Sequence, residues 1–339
     1  MNIGLGLVTA QRNPADPEQR DDATLYRQAI ELARQVEAAG LDSIWVSEHH
    51  FWDDGYLASS LPLLAAMASA TERIKLATGI LLAPLHDALR LAEDAATVDL
   101  ISRGRLILGL GMGWREEEFA GFGLELRGRV ARMKETIATL RAAWGADTLA
   151  GPAQVMVTPK PFQPGGPPIW LGGFVEPAIR RAIEHADGFI ASIPPWSTDE
   201  WERYSEWFAA VERPYEVSAH VHAFVWDGPE DPLDVVRDYR WYSDWKYTDS
   251  AGPHADRAGR QPALAPPPAD DFEAVPTHLI GRPEQVLAGL REIGERVTPG
   301  GHLVVKAYYP GLPWEAQQRQ VRLLGELAKE LRAGAAETV

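Results

Sequence analysis

Three polar residues in succession, Glu48, His49 and His50, follow a short apolar run and precede Phe51. A histidine beside a carboxylate can move a proton at neutral pH, ligate a metal, or close a structural hydrogen-bond knot. Adjacent histidines in extended chain point to opposite sides, so the pair does not readily share one ion. The pair belongs to no HxH, no HExxH pattern occurs, and no metal is assigned. A strand-end position beside an acid favours catalysis or cofactor contact over a purely structural role.

Two glycine-rich turns offer a different chemistry, the close approach of backbone to a phosphate or a flat ring. The first runs Gly109-Leu-Gly111-Met112-Gly113-Trp114. It reads GxGxG instead of GxGxxG, and Glu116, Glu117 and Glu118 fill the helical turn that follows, where they would repel a docked pyrophosphate. A dinucleotide fingerprint is therefore disfavoured. The second turn, Gly172-Gly173-Phe174, leads into a helix with Pro177 in its first turn and is the better phosphate site. Arg129 or Arg132 could supply the counter-charge; the competing reading puts each on a solvated helix face.

These residues need a scaffold. Short apolar or β-branched runs alternate with longer 3.6-period segments along most of the chain. Strands are expected at 3–8, 43–47, 74–82, 105–110, 168–171, 188–192, 217–226 and 302–308. Helices are expected at 25–39, 60–71, 88–101, 130–144, 177–185, 199–211 and 314–331. Eight strands with helical crossovers predict an α/β protein, a (β/α)8 TIM barrel with insertions at the C-terminal face of the strands. Function in such a barrel sits at that face, which gathers the Glu48–His50 triplet, Thr78-Gly79-Ile80, both glycine turns, and residues near 192–196 and 308–309. Trp114, Trp196, Trp226 and Tyr308 stand where strands end and could wall an apolar substrate pocket, or simply pack in the core.

Residues 1–333 are read as one domain. The stretch 247–276, rich in Pro, Ala, Gly and Asp, breaks the rhythm and reads as a loop insertion between the seventh and eighth strands; 334–339 reads as a disordered tail. The 339 residues contain no cysteine, which excludes disulfides, Cys-ligated zinc, iron–sulfur clusters and thiol nucleophiles. A net charge of −15 opposes nucleic acid and anionic lipid as partners. No apolar run is long enough to span a membrane, and the chain opens on a strand pattern instead of a secretory leader, so the expected location is cytoplasmic.

Taken together, Ser47–Phe51, Thr78–Pro84, Ala92–Arg105, Leu108–Trp114, Phe122-Gly123, Pro168–Gly173, Gly281–Val286 and Pro310-Gly311 resemble the bacterial luciferase-like flavin-dependent monooxygenase family. The likeness is thinnest over 195–276. It implies a dimeric barrel using reduced FMN, delivered by a separate flavin reductase, and dioxygen to oxygenate a small organic substrate. A branch of the same superfamily uses the deazaflavin coenzyme F-420 and transfers hydride without oxygen, and some relatives bind flavin without turnover. The resemblance makes His49 the acid/base, with Glu48 as its tuner and His50 beside the cofactor. It carries a non-prolyl cis peptide onto Gly79–Ile80. The reactive cysteine of the luciferases falls on Gly111 and their phosphate-binding arginine on Met112, so backbone amides of Gly172, Gly173 and Phe174 must hold more of the phosphate.

Overall fold

In a computed structural model, residues 1–145, 148–193, 198–251 and 278–336 are described. Ten strands lie among the described residues: β1 Asn2–Val8, β2 Ser43–Val46, β3 Lys75–Thr78, β4 Leu81–Leu82, β5 Leu106–Gly111, β6 Ile169–Gly172, β7 Gly188–Ile193, β8 Glu216–Val225, β9 Leu279–Gly281 and β10 His302–Lys306. Eight run parallel in the order β10-β1-β2-β3-β5-β6-β7-β8, and β10 pairs with β8 to close the ring. The short β4 and β9 extend it beside β5 and β8. Helices are α1 Asp22–Ala38, α2 Ser60–Ala70, α3 Ala88–Ser102, α4 Glu116–Gly121, α5 Arg129–Trp144, α6 Glu176–His185, α7 Thr198–Ala209, α8 Pro232–Ala251, α9 Pro283–Gly294 and α10 Trp314–Ala336. The barrel expected from the alternation of elements is the barrel observed.

Local chemistry sets the element ends. Asp21 caps α1 by accepting from the Thr24 amide at 2.8 Å, and Asp87 caps α3 through Arg90 at 2.9 Å. Arg105 staples the N-terminal end of β5 to its neighbours. Its guanidinium donates to the carbonyls of Ala68, Thr71, Ile74 and Ser102 and to the Thr71 hydroxyl. Three of these five bonds, to Ala68, Thr71 and Ser102, satisfy carbonyls at the ends of α2 and α3 that helical geometry leaves open.

Three expectations need correction. The single strand foreseen over 74–82 is two, β3 and β4, parted at Gly79–Ile80, where the peptide bond is cis. Helices α8 and α9 and strand β9, none of them foreseen, lie between the seventh and eighth barrel strands on either side of the stretch read as a loop insertion. Residues 247–251 of that stretch finish α8, and 252–276 fall outside the described residues. Helix α8 escapes a periodicity reading because Tyr and Trp alternate with charges around most of its circumference, leaving no single apolar stripe. Finally, α10 continues to Ala336, so 334–336 are helical and only 337–339 lie outside the described residues.

The inside of the barrel is plugged at mid-height. Trp45 and Trp170 are fully buried with ring centroids 5.6 Å apart, packed with Ala77, Ile107, Ile190 and Val304. The Trp45 indole donates to Ser43 Oγ at 2.8 Å, and that hydroxyl bonds His302 Nδ1 at 2.8 Å. Above the plug, toward the strand C-termini, glycine replaces bulk at 79, 109, 111 and 172. A methyl group at Gly109 would lie 2.0 Å from the Thr78 carbonyl oxygen, and one at Gly111 would lie 1.6 Å from Ile80 Cδ1. The glycines let neighbouring strands and Ile80 close in and keep the mouth free of side chains of their own.

Candidate active site at the barrel mouth

His49 leaves the end of β2 and is 5% exposed. Its backbone amide donates to the Leu57 carbonyl at 3.0 Å, fixing the loop. Its Nδ1 bonds Glu118 Oε1 at 2.8 Å, and the same oxygen accepts from the His50 amide at 2.9 Å. Glu118 is fully buried in the first turn of α4, while Glu116 and Glu117 beside it are exposed. Burial pushes the Glu118 carboxyl up, but the hydrogen bonds from His49 and the His50 amide, with the Arg115 charge, outweigh it and hold the group below the usual range. An ionised carboxylate only accepts, so the His49 Nδ1 carries the proton in this pair and Nε2 is left to take or give one.

Glu48 does not touch His49, which corrects the tuner role foreseen for it. Side chains alternate along the extended segment, and Glu48 instead receives His50 Nε2 at 3.2 Å, His86 Nε2 at 2.9 Å and the Leu82 amide at 3.2 Å. Burial alone would raise its carboxyl; the two imidazole hydrogen bonds outweigh that and bring it to about 2. Glu48, His50 and His86 place one ligating atom each within 4.8 Å of one another, a grouping that adjacency in sequence hid. His50 is therefore tied into this knot, with its ring edge-on to Phe122 at 4.9 Å.

Aromatic rings enclose His49. It stacks on Trp52 (centroids 4.9 Å, 22°) and meets the edges of Tyr56 at 4.9 Å, Tyr247 at 5.5 Å and Trp114 at 6.0 Å. Arg115 lies over the other ring of this wall, 5.1 Å from the Trp52 centroid. Tyr56 and Tyr247 join hydroxyl to hydroxyl at 2.8 Å. Buried Asp54 holds the box together, accepting from Gln11 at 2.9 Å, the Tyr56 amide at 3.1 Å and the Tyr242 hydroxyl at 3.0 Å, and Lys246 pairs with neighbouring Asp53. Helix α8 is thereby docked on the loop after β2.

Four aromatic residues were expected to wall a pocket; among the described ones, Trp114 joins this box, at 39% exposure. Trp226 is placed elsewhere: it stacks on Phe224, lies under Arg319 and donates to Glu230 at 2.9 Å, an outer packing role. Tyr308 faces the loop after β1, near Ala10, Asp16 and Arg20. Trp196 lies outside the described residues.

The residues expected to hold a cofactor divide similarly. Gly79 and Ile80 sit at the mouth beside His220, whose Cε1 lies 3.1 Å from where a Gly79 methyl would stand. The Thr78 hydroxyl is consumed by the Gly109 carbonyl at 2.7 Å. Met112 packs on the outer core, and Gly113 has φ +69°, a conformation that favours glycine. Gly173 is pressed against Ala178 of α6, and Phe174 is exposed. Arg132 donates to the Pro84 carbonyl at 2.8 Å. Arg129 is better placed: burial and the Arg129 charge together lower Arg181 on α6, so the two guanidinia are neighbours at the helix that follows Gly173. The Arg129 Nε is buried without a partner. Two crowded cations, an orphaned donor and a glycine-lined helix start fit the phosphate of a flavin mononucleotide.

Sequence reasoning missed Glu118, Arg115, Trp52, Tyr56, His86, Arg181 and Tyr247. The one available signal was Glu118 itself, three residues into a helix beginning beside a strand-end glycine turn.

Comparison with known proteins agrees with the barrel fold and the family resemblance. The flavin-dependent trigonelline monooxygenase oxygenase component of Acinetobacter baylyi is 25% identical over 246 residues, covering 67% of this chain and 68% of that protein. An F420-dependent glucose-6-phosphate dehydrogenase of Amycolatopsis mediterranei is 32% identical over 177 residues, 49% of this chain and 53% of that one. The solved monooxygenase RslO1 of Streptomyces bottropensis superimposes with a TM-score of 0.80 at 21% identity, covering 96% of this chain and 98% of that one, which shows the shared fold. The model of the family described as luciferase-like monooxygenase matches residues 1–298. With that match taking in every barrel strand but β10, the chain belongs to the luciferase-like monooxygenase family.

Proposed function

We propose that this chain is the oxygenase of a two-component, flavin-dependent monooxygenase acting on a small organic substrate. The observation that carries the reading is the buried His49–Glu118 pair inside an aromatic box at the barrel mouth. Reduced FMN supplies the electrons that activate dioxygen. Gly172, Gly173, Arg129 and Arg181 hold its phosphate, and Gly79 and Ile80 leave room for its ring. His49 gives or takes the proton at Nε2, and the rings of Trp52, Tyr56, Trp114 and Tyr247 exclude water from the substrate.

A separate flavin reductase, a homodimeric assembly and a cytoplasmic setting complete the proposal. Leu100 and Ile101, exposed on α3, offer an apolar patch for a second copy. Among the described residues no helix is long and apolar enough to cross a membrane.

The test is anaerobic titration of the purified chain with reduced FMN and, separately, with the reduced deazaflavin, followed by admission of oxygen. Binding of reduced FMN and dioxygen uptake dependent on His49 support the proposal. Binding of the deazaflavin alone, with no oxygen uptake, replaces it with hydride transfer. Affinity weaker than ~100 μM for both cofactors sinks both readings.

A further inference from the structure

The opposite sector of the mouth, formed by β8, β10 and α8, carries a group of bases that the chemistry above does not use. Val304 and His220 face the Trp45 plug and are in register with each other. Two residues further along each strand, Lys306 and His222 are again in register and share that inward face. They form the next layer up, and both are half-buried, so solvent reaches them through the mouth. Arg240 comes down from α8 with its side chain 8% exposed. It donates to His222 Nδ1 at 2.9 Å and His278 Nε2 at 3.2 Å and pairs with Asp244 at 2.5 Å.

Accepting from a guanidinium requires an unprotonated ring nitrogen, so both imidazoles are neutral here and His278 Nδ1 bears a hydrogen. That nitrogen is buried without a partner, and so is Arg240 Nε. Burial, and after it the Arg240 charge, pushes His222 well down and brings Lys306 to about 8. Cationic groups crowded in this way, with two orphaned donors among them, are completed by an anion. The flavin phosphate has its own donors in the β5–β6 sector, at Arg129 and Arg181, and cannot occupy both places.

We propose that His222, Arg240, His278 and Lys306 form a docking site for the carboxylate of an anionic organic substrate. This rests on the mouth being the oxygenase site. Arg240 and Tyr247 are seven residues apart on α8, two turns along one face, so they stand roughly 10 Å apart along the helix axis. An acid held by its carboxylate at Arg240 therefore extends its carbon skeleton toward the aromatic box and His49. That span suits an aromatic or short-chain acid.

The test uses matched acids and amides, benzoate with benzamide and phenylacetate with phenylacetamide, titrated calorimetrically into the full chain. Lys306→Met and Arg240→Met are compared with the parent, and FMN affinity is measured on each. The site predicts acids bound at least tenfold more tightly than their amides by the parent. In both variants that ratio should fall toward one while FMN affinity is unchanged. Equal binding of acid and amide by the parent overturns the proposal. Loss of FMN affinity in the variants also overturns it, by assigning the cluster to the flavin phosphate. If Arg240→Met does not fold by circular dichroism, Lys306→Met decides alone, since it removes a charge and keeps the bulk. Failure of the parent to bind FMN would strike the oxygenase reading and leave the acid-to-amide ratio readable.

Discussion

Glu118 and His49, separated by 69 positions in the chain, meet as a buried pair with 2.8 Å between carboxylate oxygen and Nδ1. The carboxylate also accepts from the His50 amide, so one group sets both the tautomer of the imidazole and the path of its backbone. In the proposed reaction Glu118 is a positioning residue, and His49 is the group that reaches the reacting atoms. His49→Ala should lower oxygenation by about 10²-fold or more, the range for a lost general acid or base. Glu118→Gln should lower kcat roughly 10- to 100-fold with KM little changed, because the carboxylate that orients the imidazole is lost. A merely structural Glu118 would change the melting temperature and leave kcat at the parent's level.

Glu48 ties acid stability to the loop after β2. Its carboxyl sits at about 2 in the folded chain against 4.5 for an ordinary glutamate. A depressed value means the stabilisation is fully present above pH 4.5 and disappears as pH falls toward 2, an effect of about 3 kcal/mol. Denaturant midpoints measured from pH 6 to pH 3 should fall more steeply for the parent than for Glu48→Gln. Parallel curves would show that Glu48 contributes nothing to the acid limb.

Two neighbouring glycines should respond differently to the same added methyl group. At Gly109 it meets the backbone oxygen of Thr78, which cannot move without distorting β3, so Gly109→Ala should destabilise by about 3 kcal/mol or fail to fold. At Gly111 it meets only the tip of Ile80, which can rotate away. Gly111→Ala should fold with a small loss of stability and weaken FMN binding several-fold, since the displaced Ile80 enters the mouth. Equal melting temperatures for the two variants would contradict this difference.

Arg105 offers a test remote from the mouth. Arg105→Lys keeps the charge but cannot make five divergent bonds, so it should lose nearly as much stability as Arg105→Met, about 2–4 kcal/mol each. Thermal melts of the two variants compare them directly, and full rescue by lysine would rule out the staple as described.

The barrel was legible because its strands are buried on both faces and read as short apolar runs, while helices α1, α3 and α5 carry recognisable faces or stops. His49 was legible because it stands where β2 ends. Its partner was not: Glu118 sits in a run of three glutamates, and only the turn of α4 decides which one points inward. Glu48 was assigned to the wrong histidine for a related reason, since neighbours in extended chain face apart and His86 lies 38 positions away. Trp226 and Tyr308 show the limit of strand-end reasoning, which gives a residue's height in the barrel but not the side of the wall it faces. Of the bases on this side of the mouth, His222 and Arg240 fall where the family resemblance is thinnest and His278 and Lys306 beyond it, and only register and helix docking bring them together.

The division of the mouth between early and late chain has an evolutionary meaning. His49, Glu118 and the glycine turns all precede residue 175, whereas Arg240, Tyr247, His278 and Lys306 all follow residue 239. The proton chemistry and the proposed carboxylate dock are thus encoded on separate stretches. Exchanging the later stretch between relatives can retarget the enzyme while inheriting its reaction intact.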